Sequence, residues 1–327
     1  MGWKMTKTLP YTTLKLLIFT CSLLLFGCGK EKEEEIEEAI DTANIFLSSR
    51  ICGAAISILE GVGRQNTNAR YLQTLASAYA CKSDFDEPTF FGTDMPNIAS
   101  PAPLGGLTTF NSSLSMDSSS DKYYTNLWSA INILLYAGGI GSGENPTVAE
   151  RADYFNNADA GDINAQLAYM LLAQLGKFAF FYGNVDAGVK GDGTQGNDCF
   201  IEYDEAAVLA YLATGNTGGC TNLTNTGHAN LGTPGSYSVA RLCQGVILFN
   251  SIVDALPGVI SAAGGDDFND LDDLLTDIDG YKTDYTDAGG DPTIFIQQNQ
   301  TGCETDNAAD DTNLQLFFGF IMETLFI

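Results

Sequence analysis

Asp162–Tyr182 reads DINAQLAYMLLAQLGKFAFFY, and this stretch decides what kind of fold the chain adopts. Leu167, Met170, Leu171, Leu175, Phe178, Phe180 and Phe181 recur at helical spacing, which predicts one long helix with a broad apolar face. Its length approaches that of a membrane span, which takes about 20 apolar residues. Gln166, Gln174 and Lys177 interrupt it, so the better reading is a core helix buried by other helices.

The same periodicity recurs on both sides. Towards the N-terminus, Glu33–Ser48 carries Ile36, Ala39, Ile40, Ala43, Phe46 and Leu47 on one face, and Cys52–Gly63 carries Ala54, Ala55, Ile58, Leu59 and Val62. A polar turn at 66–68 precedes a third helix over Ala69–Lys82, and Lys122–Ala137 has Tyr124, Leu127, Trp128, Ile131, Leu134 and Leu135 on a broad face. Gly138–Gly143 ends that helix, and Asn145-Pro146-Thr147 starts a short one, with proline near its first turn. Towards the C-terminus, helices are expected at Tyr203–Leu212, Val239–Ile260 with a bend at Pro257, and Asp267–Asp279. A last helix opens at Asn307 and ends in LQLFFGFIMETLFI, an apolar terminus that must be buried. No strand-like alternation stands out. The expected class is all-α, an irregular helical domain with long Gly/Ser/Asp-rich loops. The longest of these, 84–120, holds Pro88, Pro96, Pro101 and Pro103, and its length marks it as a segment to examine for function.

The N-terminus supplies an address. Lys4, Lys7 and Lys15 precede an apolar run that ends Leu25-Phe26-Gly27-Cys28. This resembles a bacterial lipoprotein signal. The resemblance implies removal of residues 1–27, lipidation of Cys28, a lipidated tether over 28–35, and one helical domain over 36–327. That domain comprises a hairpin region at 36–87, an irregular segment at 88–120 and a helical remainder at 121–327. Gly29 follows the cysteine rather than an aspartate, which in this class implies the outer membrane; the periplasmic face is the expected side, with the cell surface as the alternative. More than one acyl chain then gives stable anchoring.

Ala69–Glu87, ARYLQTLASAYACKSDFDE, resembles the first helix and turn of a tetratricopeptide repeat. Leu72, Leu75, Ala76 and Tyr79 fall on its large, large, small and aromatic packing positions. Ala54, Ile58 and Gly61 match the preceding helix, and the resemblance covers about residues 52–87. Pro88 then stands where another repeat helix would need alanine. In an antiparallel hairpin of this kind, Cys52 opens one helix and Cys81 closes the next, which predicts a Cys52–Cys81 disulfide.

Four more cysteines follow, none in a short metal-binding spacing. Cys199 and Cys220 flank the helix from Tyr203 and its loop, which suggests Cys199–Cys220, and Cys243–Cys303 follows by elimination. In an exported chain an even set of six reads as disulfides. The formal charge of −26, close to −29 once three signal lysines are lost, repels nucleic acid and anionic lipid surfaces.

Recognisable catalytic motifs are missing. There is no GxSxG, HExxH or P-loop, the single histidine is His228 in a polar loop, and the Gly138–Gly143 cluster lacks a preceding strand. Asp266–Asp291 packs ten aspartates without a glutamate. Oxygen-rich segments of this kind suit calcium, with Asp277, Asp279 and Asp284 as ligands, although helical periodicity equally places the acids on a solvated face. No other cofactor is expected. The sequence therefore points to a non-enzymatic binding or assembly scaffold with an envelope protein partner and a membrane attachment through its lipid. A solute- or calcium-binding lipoprotein is the alternative.

Overall fold

In this computed structural model the described residues are 27–95, 102–186, 188–190, 199–214, 220, 223, 227–263 and 269–326; for 27–31, 259–263 and 269–274 only the backbone is described. Residues 1–26, and with them nearly all of the predicted signal, lie outside this set. The structure is 67% helix, with no strand among the described residues, and three cysteine pairs stand at disulfide distance, so the all-α class holds. Two compact units divide at Arg64/Gln65.

The first unit contains α1 (Gly27–Ser48) and α2 (Cys52–Gly61), which pack on each other. α1 begins at Gly27, earlier than the Glu33 start that the apolar pattern indicated, so residues 27–32 are helical as well. Glu33–Glu35 are exposed, while Ile36, Ala39, Ile40 and Ala43 are buried, the stripe anticipated from the sequence. Arg50, at φ 56°, turns the chain into α2.

The second unit is organised around α7 (Asn157–Tyr182), which packs against α9 (Val239–Ala263), α5 (Lys122–Leu135), α4 (Pro103–Leu107) and α3 (Ala69–Lys82). α6 (Val148–Ala152) and α8 (Ala206–Leu212) are short, and α10 (Asn269–Asp287), α11 (Gln300–Asn307) and α12 (Thr312–Phe317) follow α9. Side-chain caps set several starts. Asn68 accepts from the Tyr71 N–H at 2.9 Å, Asp121 from Tyr123 at 2.7 Å, Asn156 from Asp159 at 3.0 Å and Asn299 from Gly302 at 2.6 Å.

The polar residues of α7 connect it to its neighbours. Gln166 donates to the Gln73 carbonyl and to Ser77 on α3, at 3.1 and 2.8 Å. Gln174 donates to the Tyr124 carbonyl on α5 at 3.1 Å, and Lys177 to the Leu114 carbonyl in the irregular segment. Each buried polar head therefore donates to an acceptor on a different neighbour, which offsets part of the desolvation cost of burying it. Val239–Gly258, within α9, is the one described stretch long and apolar enough to cross a membrane; 67% of it is buried in the fold, as in a core helix.

Several boundaries differ from expectation. Tyr203 to Glu205 are not helical, and α8 starts at Ala206; Asp204 and Glu205 give their N–H groups to Gln315, both at 3.0 Å. α10 continues through Gly280 to Asp287, held by burial of Ile278 and Tyr285. Asn307 closes α11 rather than opening the last helix, because its amide bonds back to the Cys303 carbonyl at 2.9 Å. The terminal apolar run is buried as anticipated, with Phe318–Met322 forming a π-helical turn.

Candidate functional site

The predicted bridges Cys199–Cys220 and Cys243–Cys303 are both present, with Cα separations of 4.5 and 5.8 Å. Cys52, in the first unit, and Cys81, in the second, are also disulfide-bonded. Cys199 and Cys220 lie with Glu323 in a buried group whose ligand-type atoms are within 4.8 Å of one another. Sulfurs held in a disulfide are not thiolates, so this group does not make a metal centre. Glu323 is engaged elsewhere, by the Lys190 ammonium, the Phe200 N–H at 2.9 Å and the Tyr203 hydroxyl at 2.7 Å.

The residues expected to pack a repeat-like hairpin, divided between the two units, are unequally buried. Leu72, Leu75 and Ala76 are buried, Tyr79, Ala54 and Ile58 are half-buried, and Gly61 is exposed with open space where a Cβ would stand. Beyond them the irregular segment is built. Asp94, fully buried, accepts from the Asn111 and Ser112 N–H groups at 2.9 and 2.7 Å, clasping the segment to itself. Phe85, Phe90 and Phe91 gather round Tyr169, with Phe110 edge-on to Phe90; the Tyr169 hydroxyl donates to Glu87 at 2.6 Å, and burial and that carboxylate push the phenol pKa up. Phe91 lies in a π-helical turn (Phe90–Asp94) and remains 56% exposed.

Asp277, Asp279 and Asp284 are all exposed on α10. Positions 277 and 279 point about 200° apart on a helix, and Asp279 pairs with Lys282 at 3.3 Å. The structure does not bring the three together: among the described residues only the disulfide group above clusters three metal-type side chains. Asp291, the last acid of the predicted segment, does line a polar pocket of about 340 Å³ with Thr293, Ile294, Gln297, Asp306, Asn307 and Asn313. Asn307 is 4% exposed and its Oδ1 has no hydrogen-bond partner. Gln297 donates to Asp306 at 2.6 Å, leaving its own Oε1 unpartnered as well. Backbone and hydroxyl bonds from Thr293 hold the Asp291 carboxyl below the usual carboxylate range.

His228 is half-buried. Its ring lies 4.7 Å from that of Phe181 and 5.2 Å from that of Tyr182, its Nδ1 accepts from the Asn230 N–H at 3.2 Å, and burial lowers its pKa. The Gly138–Gly143 cluster follows α5, so it serves as a helix stop. Gly138, at φ 88°, presses against the Tyr154 ring, and its N–H reaches the Asn66 carbonyl at 2.8 Å.

A second pocket was not anticipated. It has a volume of about 200 Å³ and lies between one face of α5 and the segment entering α11. Trp128, Asn132, Leu135 and Tyr136 stand at i, i+4, i+7 and i+8, so they share one stripe of the helix. That repeating aromatic–amide–aromatic spacing was the available signal.

No protein-family model matches this chain, and no curated protein or solved structure matches it.

Proposed function

We propose that the chain is a lipid-anchored envelope protein, attached through Cys28 at the periplasmic face of a bacterial outer membrane, that acts as a non-enzymatic binding and assembly scaffold. Support for export comes from the cysteines: all six after Cys28 are in disulfides, the chemistry of an oxidising compartment. The observation that carries the binding role is Phe91. It is an aromatic ring held on a clasped π-helical turn, backed by Phe90 and Tyr169, and turned to solvent. A rigid exposed aromatic of this kind costs little entropy to bury, which is why such residues anchor protein interfaces. The residues of the repeat-like hairpin add a scaffold analogy.

A photo-crosslinking residue at position 91, in intact envelopes, tests the reading. It should capture a reproducible protein partner that is lost in Phe91→Ser. An empty lane at position 91 sinks the scaffold, and retention of the protein in the membrane fraction after Cys28→Ala sinks the anchor.

A second reading, cation binding, rests on the pocket at Asp291, Asp306 and Asn307. The pocket is lined by two carboxylates and by Asn and Gln side chains, oxygen donors of the kind calcium prefers. Calorimetric titration with calcium, on wild type and on Asp306→Asn, decides it: heat that vanishes in the variant supports a site here, and no heat removes it.

A further inference from the structure

The second pocket has a built wall on each side. One wall is the α5 stripe: Trp128 and Tyr136 contribute half-buried rings, with Asn132 between them. The other is Gln298, Gln300 and Thr301; Ile247 of α9 adds an apolar lining and Ser142 contributes a hydroxyl from the glycine loop.

The wall opposite α5 is fixed before any ligand arrives. Asn145 Oδ1 accepts from the Gln298 N–H at 2.9 Å and from the Asn299 amide at 2.8 Å. Asn250, on α9, donates to the Ile294 and Gln297 carbonyls at 2.7 and 2.8 Å. The Gln300 amide nitrogen is committed to the Ala240 carbonyl at 2.8 Å and to Glu304 at 2.5 Å. The Cys243–Cys303 bridge joins α9, one turn before Ile247, to α11, whose first turn carries Gln300 and Thr301. On the loop side, buried Arg151 donates to the Leu135 carbonyl at 3.3 Å and to the Pro146 carbonyl, and to Asn164 at 2.7 Å, so the segment holding Ser142 and Asn145 is pinned to α5 and α7.

This framework leaves particular atoms unused. Gln298 is 4% exposed, and its Oε1 has no partner; the Gln300 Oε1 has none either. A buried acceptor without a donor costs about 1–3 kcal/mol, so each of these two lining side chains gains by turning its amide oxygen to a ligand that donates. The charge pattern narrows the choice. None of the nine lining residues is ionisable at neutral pH, in a chain whose net charge is −26, which disfavours anions and supplies no ion-pair partner. Aromatic faces alternating with amide and hydroxyl groups suit a ring with apolar C–H faces and hydroxyl edges.

We infer that the Trp128–Gln298 pocket is a binding site for a neutral saccharide, one sugar unit or the end of a short glycan. The sugar face rests on Trp128 and Tyr136. Its hydroxyls donate to Gln298 Oε1 and Gln300 Oε1 and exchange hydrogen bonds with Asn132, Ser142 and Thr301. The site is independent of the scaffold surface at Phe91 and of the cation pocket.

The test is titration of the exported, lipidated protein in detergent with glucose, mannose, N-acetylglucosamine, maltotriose and chitotriose, by calorimetry and by tryptophan fluorescence. Trp3 and Trp128 are the only tryptophans, so after cleavage before Cys28 the fluorescence reports the pocket alone. At least one probe should bind with a Kd at or below about 1 mM, and Trp128→Ala and Gln298→Met should each weaken it about tenfold or more. Gln298 is buried, so Ser142→Tyr, made in an exposed loop, provides a variant that fills the pocket without touching the core and should abolish the heat. The inference is overturned if no probe binds up to about 20 mM. It is equally overturned if binding survives Ser142→Tyr and Trp128→Ala, or if a neutral tripeptide binds the pocket in place of every sugar.

Discussion

Lys190 and Glu323 form an ion pair with both side chains completely shut off from water. The ammonium lies 4.2 Å from the Phe200 ring centroid and 5.7 Å from that of Phe326, and the carboxylate also accepts from the Phe200 N–H and the Tyr203 hydroxyl. The pair ties Lys190 to the apolar C-terminal turn that carries Glu323. Burying two charges is costly, and these rings and donors return part of that cost.

Removing one partner leaves the other charged and buried. Glu323→Leu is therefore expected to lose about 3–5 kcal/mol of unfolding free energy, measured by urea titration at neutral pH. The double variant Lys190→Met/Glu323→Leu should recover most of that loss. If the double variant is no more stable than the single one, the pair contributes net stability and this account fails.

The two described bridges should contribute unequally. Cys243–Cys303 closes 60 positions of chain and Cys199–Cys220 closes 21. In the loop-closure account their removal costs about 4 and about 3 kcal/mol respectively. Paired Cys→Ala variants of each, compared by thermal melting, should rank in that order. The Cys243→Ala/Cys303→Ala variant should also loosen the Gln300 wall of the saccharide pocket, so its sugar affinity should fall while that of the other variant holds.

What could be read from the sequence follows from the range of the interactions. α3 runs over Ala69–Lys82, as its apolar spacing and the Asn68 cap indicate, because both signals lie within a few residues. The solvated face of α10 was legible for the same reason, and so were the alternatives for its aspartates. Trp128 was assigned to the apolar face of its helix. Its pocket depends on Gln298, which long-range contacts place opposite it: the Asn145 and Asn250 amides and the Cys243–Cys303 bridge. Helical periodicity holds no information about such pairings. α11 was missed because QTGCETDN has almost no apolar stripe; the Asn299 cap and the disulfide hold it instead.

Lys177 gives the fold a pH dependence with a definite sign. Burial lowers its pKa from 10.5 to about 8, against the opposing pull of Asp121, Asp84 and Asp117. Between those two values the unfolded chain holds a proton that the folded chain has released. Stability therefore gains from this group as pH rises across that window, and below about pH 8 its penalty is constant. Buried tyrosines work in the opposite direction above pH 10, so the measurement is a difference. The stability of Lys177→Met minus that of wild type should be flat from pH 6 to 7.5 and should fall steadily from about pH 8 to 10. A gap that does not change with pH rules out a depressed lysine.

Two glycines on α7 should respond to one substitution with opposite signs. Gly161 is exposed, and a Cβ there meets nothing within 4 Å. Alanine at that position limits the unfolded chain and favours the helix, so Gly161→Ala should add about 0.5–1 kcal/mol. A Cβ on Gly176 would overlap the Leu107 carbonyl, backbone of α4 that cannot swing away as a side chain can. Gly176→Ala must push α4 off the central helix, and about 1–3 kcal/mol should be lost. Because both changes add the same methyl to the same helix, helix propensity cancels between them, and the difference in melting temperature isolates the close approach of α4 to α7. Equal shifts for the two variants would mean that the two helices do not meet at Gly176.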